Sequence, residues 1–77
     1  MDTRREFLDI LQDYIDFPVD KIETDAPLKA ASGIDSFSFI EIIASVEEHF
    51  GITIPNCDLA GFRRIDDIIA YIAKKTA

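Results

Sequence analysis

Apolar residues recur at helical spacing in three long stretches of the chain. In residues 3–16, Phe7, Leu8, Leu11, Tyr14 and Ile15 share one face, while Arg4, Arg5, Asp9, Gln12, Asp13 and Asp16 fill the other. Thr3 and Glu6 have capping-box spacing, which predicts a helix start at Thr3. Pro18 ends this helix, because the residue before a proline avoids helical angles. In residues 36–50, Phe39, Ile42, Ile43, Val46 and Phe50 form the apolar stripe, and Asp35, Glu41, Glu47 and Glu48 point outward. Gly51 supplies the left-handed stop. In residues 65–75, Ile65, Ile68, Ile69 and Ile72 repeat once more. Asp66 and Asp67 at the start of that run, and Lys74 and Lys75 at its end, match the polarity of a helix. A fourth, short helical turn is predicted over residues 57–60, capped by Asn56 and ended by Gly61.

Two connections join these helices. Residues 17–34 contain Pro18, Pro27 and Gly33 and carry no regular period. A connection this long is uncommon in a small domain and is often functional. Phe17, Val19, Ile22, Leu28 and Ile34 are spaced to tack it onto the core. Residues 52–55, Ile-Thr-Ile-Pro, alternate like a strand but have no partner strand. They read as an extended linker that inserts Ile52 and Ile54 into the core. There is no internal repeat, and 77 residues make one small domain, residues 1–77.

The start of the second helix carries the most chemistry. In Gly33-Ile34-Asp35-Ser36-Phe37, the aspartate reads as an N-cap that accepts bonds from first-turn amides. Ile34 and Phe39 then fall at the two positions of a hydrophobic staple, which sets how the chain enters the helix. Ser36 takes the first helical position, with its hydroxyl free to face solvent. A phosphate on that hydroxyl would lie near unpaired amides and the positive end of the helix.

The net charge of −7, from 15 acidic and 8 basic residues, narrows the partners. An acidic surface repels nucleic acid and anionic lipid and attracts proteins with basic patches. A monomer is expected. The single cysteine allows no internal disulfide framework. No apolar run reaches the roughly 18 residues of a membrane span. The N-terminal segment lacks the apolar stretch of a signal peptide, so a cytoplasmic location is expected. His49 is the only histidine. It stands nearly a helix length from Ser36, roughly 20 Å at about 1.5 Å per residue, so a Ser-His-Asp arrangement is not expected and His49 reads as a surface residue. Cys57, beside an apolar linker, reads as a small, partly buried side chain. The acids are scattered, without the spacing of a metal loop. No catalytic set emerges, and the chain is not expected to be an enzyme.

The Asp35-Ser36-Phe37 motif, preceded by Gly33-Ile34, resembles the modification site of acyl carrier proteins. The resemblance continues through Glu41-Ile42-Ile43, Val46-Glu47-Glu48-His49-Phe50, Ile54-Pro55 and Ile68-Ile69-Ala70-Tyr71-Ile72, with matching spacing over nearly the whole chain. It implies an all-α four-helix bundle with three main helices, one short helix and a long first loop. It also implies 4′-phosphopantetheine, taken from coenzyme A by a phosphopantetheinyl transferase and attached to Ser36. The thiol of that arm would carry acyl groups as thioesters between acyl-handling enzymes of fatty acid, lipid or polyketide-type synthesis. Arg64 stands where the family often has a threonine cap, so the last helix is expected to fray at its start.

Phe37, Ile40 and Ala44 lie off the core stripe, beside Glu41. Exposed apolar residues rimmed by acids mark contact surfaces. By resemblance, Asp35, Glu41, Glu47 and Glu48 would steer basic partner enzymes while Phe37, Ile40 and Ala44 pack against them. The same resemblance implies an acyl cavity lined by Phe39, Ile42, Val46, Ile54, Phe62, Ile68 and Ile72, which the bulk of Phe39 is expected to narrow. Phe37 replaces the family's usual leucine and Ser38 an often acidic residue, which points to a specialised carrier. An aminoacyl carrier of the D-alanyl type, and an unmodified interaction domain with the carrier fold, are the alternatives.

Overall fold

A computed structural model describes residues 2–28 and 33–77. Residues 29–32, part of the predicted long connection, lie outside the described residues. Among the described residues four α-helices follow one another: α1 (Thr3–Gln12), α2 (Ser36–Phe50), α3 (Asn56–Leu59) and α4 (Ile65–Thr76), with a 3-10 turn at Val19–Lys21. Helix α1 packs against both α2 and α4. The described core is wholly apolar: Phe7, Leu8 and Leu11 of α1 meet Ile42, Ile43 and Val46 of α2 and Ile65, Ile68 and Ile72 of α4. Full burial of one such side chain contributes about 1.5–3 kcal/mol. The connection residues join them as their spacing predicts. Val19, Ile22, Ile34 and Ile54 are buried, and Phe17, Leu28 and Ile52 pack against them.

The helix ends depart from the sequence reading in four places. Asp2, not Thr3, caps α1, because its carboxylate accepts the Arg5 N–H at 3.2 Å. A charged acceptor suits the positive end of a helix better than a hydroxyl does. Glu6 is therefore not folded back onto the cap and instead meets His49 of α2 at 3.2 Å.

Helix α1 also ends at Gln12, well before Pro18. The Gln12 side-chain amide explains the early exit. Its Nε2 donates to the Phe17 carbonyl at 3.0 Å, and its Oε1 accepts the Val19 N–H at 3.0 Å. One side chain thus satisfies both backbone groups of the turning chain, and the predicted polar-face residue acts as a clamp.

At α3 the cap position is Pro55 and Asn56 is already helical, without a side-chain cap bond. Proline's fixed φ, here −62°, orients the chain for the turn. The short helix is held from outside instead. Asp58 accepts the Tyr71 hydroxyl of α4 at 2.6 Å, a bond that pushes the Tyr71 phenol up to about 12.

The start of α4 is capped despite the arginine at its cap position. Asp67 accepts the Arg63 and Arg64 N–H groups at 3.2 and 3.1 Å, and the Arg64 guanidinium at 2.9 Å. The Arg64 guanidinium and these amides hold the Asp67 carboxyl below its usual range. The first connection adds two backbone ties, Leu28 N–H to the Arg63 carbonyl at 2.7 Å and Asp66 N–H to the Thr24 carbonyl at 3.0 Å. Arg4 of α1 bonds Asp66 at 3.2 Å and Thr24 at 3.0 Å. Cross-chain bonds therefore replace the missing threonine cap.

Candidate functional site

Gly33 brings the chain to α2 with φ +70°, a left-handed turn that a side chain would resist. Asp35 then caps the helix: its carboxylate accepts the Ser38 N–H at 2.8 Å and its carbonyl accepts the Phe39 N–H at 3.0 Å. The Ser38 amide bond holds the Asp35 carboxyl below the ordinary carboxylate range. Ile34 is buried and Phe39 half-buried, on either side of the cap. They hold the entry angle that leaves Ser36 at the first helical position, exposed. Among the described residues nothing engages the Ser36 hydroxyl.

Ser36 also borders an open apolar groove of about 600 Å³, lined by Pro27, Leu28, Ile34, Asp35, Ser36, Phe39, Ile40, Phe62 and Arg63. That volume falls within the range of small-molecule sites, about 300–1,000 Å³. Three segments remote in sequence build it: the end of the first connection, the first two turns of α2, and the turn before α4. A backbone bond joins two of its lining residues, Leu28 and Arg63. Of the residues expected to line an acyl cavity, Phe39 and Phe62 face this groove. Ile42, Val46, Ile54, Ile68 and Ile72 are instead closed into the core, each 5% exposed or less. Pro27, Leu28 and Arg63 were not legible as groove residues. The bridge between Pro27 and Arg64, with the Leu28–Arg63 backbone bond, brings their segments together.

On the outer face of α2, Phe37 is 71% and Ile40 62% exposed, the two large apolar side chains most open to solvent among the described residues. Glu41, Ala44 and Glu48 are exposed beside them. Glu47 differs: it is only partly exposed, and its carboxylate accepts the Ile54 N–H at 2.9 Å. Its carbonyl also accepts the Gly51 and Ile52 N–H groups. The expected outward acid is thus a brace for the linker, because the left-handed Gly51 turns the chain back beneath it.

His49 lies at the far end of α2 from Ser36, exposed, paired with Glu6 and edge-on to Phe50 at 4.8 Å. Cys57 is exposed rather than partly buried, because the first turn of α3 faces solvent. Among the described residues no three His, Cys, Asp or Glu side chains converge on a metal-sized site. No described helix is long and apolar enough to cross a membrane.

Comparison with known proteins follows the same line. An acyl carrier protein of Rhodococcus erythropolis is 48% identical over 44 residues, 57% of this chain and 48% of the relative. A meromycolate extension acyl carrier protein of Mycolicibacterium aurum is 49% identical over 41 residues, 53% of this chain and 42% of the relative. The chain therefore spans about half or less of the length of these two relatives. An acyl carrier protein of Bdellovibrio bacteriovorus is 28% identical over 67 residues, 87% of this chain and 86% of the relative. The family model described as "Phosphopantetheine attachment site" matches residues 5–72, from α1 through Ser36 and well into α4. With that match over most of its length, the chain belongs to the phosphopantetheine attachment-site family, the family of acyl carrier proteins.

Proposed function

We propose that the chain carries acyl groups as thioesters on a 4′-phosphopantetheine arm attached to Ser36. A phosphopantetheinyl transferase would supply the arm. The Ser36 hydroxyl oxygen attacks the pantetheine-side phosphorus of coenzyme A. The pyrophosphate P–O bond breaks, the nucleotide leaves as 3′,5′-ADP, and the serine proton passes to solvent or to a base of the transferase. The observation that supports this reading best is an exposed, unengaged Ser36 at the first position of α2, bordering an apolar groove.

The chain is then cargo carrier and substrate, and its partners do the catalysis. A tether keeps the acyl group at high effective concentration for each docked enzyme, and weak docking permits release between steps. Asp35, Glu41 and Glu48 would steer basic partners, which raises association rate more than affinity. Phe37, Ile40 and Ala44 would supply the apolar contact. Glu47 contributes to that field, though its carboxylate is committed to Ile54. Phe39 and Phe62 would meet the arm or the first carbons of the cargo. The partners are acyl-handling enzymes of fatty acid, lipid or polyketide-type synthesis, in the cytoplasm where coenzyme A is available.

The exposed Phe37 and Ile40 would equally serve an unmodified interaction domain. Intact mass separates the two. Incubation with a broad-specificity transferase and coenzyme A should add one phosphopantetheine to the wild-type chain and none to Ser36→Ala, with both folded by circular dichroism. A labelled Ser36→Ala chain, or an unlabelled wild type, would overturn the carrier reading.

A further inference from the structure

The chain has four arginines, and three are committed. Arg4 pairs with Asp66, Arg5 with Asp9 and Asp20, and Arg64 with Asp67. Among the described residues Arg63 makes no ion pair, and it lines the groove that contains Ser36. Its neighbour Arg64 takes the Asp67 carboxylate that Arg63 meets only through its backbone N–H. The Arg63 backbone is held on both sides, its N–H by Asp67 and its carbonyl by the Leu28 N–H. One long cationic side chain therefore lines the groove from a held backbone.

The charges around the groove make this placement informative. Among the described residues, its lining contains one acid, Asp35, and one base, Arg63. A phosphodiester on Ser36 would add a second negative charge next to Asp35, whose depressed pKa keeps it ionised. Neighbouring like charges repel, and a guanidinium lining the same groove is the matching donor, because its planar fork pairs with two phosphate oxygens. The apolar lining beneath would accept the methyl-bearing carbons that follow the phosphate along the arm.

We propose that Arg63 is a positioning residue: it pairs with the phosphodiester at Ser36 and folds the start of the arm into the groove. This rests on the carrier reading above. It adds that the arm has a parked state with its root held at the turn before α4, and that partner enzymes displace it.

The test compares apo and holo chains by NMR, with conversion followed by intact mass. Arm attachment should move the Arg63 Nε–Hε signal well beyond that of Arg4, which is held by Asp66. About 1 M salt, where the screening length falls to about 3 Å, should largely reverse the shift. The holo 31P resonance should differ in Arg63→Gln and return towards wild type in Arg63→Lys, while Lys74→Gln leaves it unchanged. An attached arm with an unmoved Arg63 signal, or with the same 31P resonance in wild type and Arg63→Gln, overturns the inference and leaves the carrier reading intact. So does an Arg63 signal that moves only once a cargo ending in a carboxylate is loaded, since the cation would then read the cargo. A chain that takes no arm overturns both.

Discussion

Glu47 offers the sharpest separation of folding from docking. Charge pattern alone makes it one more acid on the outer face of α2, equivalent to Glu48. The structure gives it a bond to the Ile54 N–H at 2.9 Å, partly buried, which holds the linker beneath the last turn of α2. A hydrogen bond to a charged group contributes about 1.5–3 kcal/mol, and partial exposure puts this one at the lower end. An acid near a helix C-terminus costs about 0.3–1 kcal/mol, which Glu47→Ala would recover. The net expectation is a loss of about 1 kcal/mol, or about 4–8 °C in Tm for a domain of this size. Glu48→Ala is the internal control. It has the same helix-propensity and dipole terms but no partner, so it should stay within about 0.5 kcal/mol of wild type. Glu47→Gln keeps an acceptor oxygen and should lie close to wild type. Urea denaturation followed by far-UV circular dichroism reads all three. Equal unfolding midpoints for Glu47→Ala and Glu48→Ala would show that the Ile54 bond carries no weight.

Two further outcomes follow from the start of α2. The Asp35 carboxyl is held below its usual range by the Ser38 amide. Its contribution is complete above the unfolded value of about 4 and is lost as pH falls through the lower folded value. Asparagine caps comparably without titrating, so Asp35→Asn should flatten the fall in Tm below about pH 4, and an unaltered acid limb in thermal melts would refute the cap's role there. Phe37→Ser and Ile40→Ser remove side chains that are 71% and 62% exposed, so Tm should barely move. Transferase or partner-enzyme KM should rise for both, and an unchanged KM with several partners would dismiss this face as a docking surface.

Much of this was legible in the chain because it is local. The cap at Asp35, the staple of Ile34 and Phe39, the glycine stop at Gly51 and the stripe from Ile42 to Val46 each depend on residues within a turn or two. So does the placement of Ser36 on the rim. The errors were of a different kind. Thr3 lost the cap to Asp2, one position away, because two good capping residues compete within one turn. Cys57 was assigned by the company it keeps in sequence, whereas exposure depends on which side of a four-residue helix meets the core.

What the residues settle by themselves is periodicity, charge and the chemistry at each helix end. Those are enough for an all-α domain with an exposed, capped serine. What the folded chain alone decides is where remote segments meet. The groove beside Ser36 exists because the Leu28 N–H reaches the Arg63 carbonyl at 2.7 Å. Arg4 of α1 reaches Asp66 and Thr24, and Tyr71 of α4 holds Asp58, through similar encounters. No local rule predicts them, because a hydrogen bond between distant segments forms only once core burial has brought those segments together.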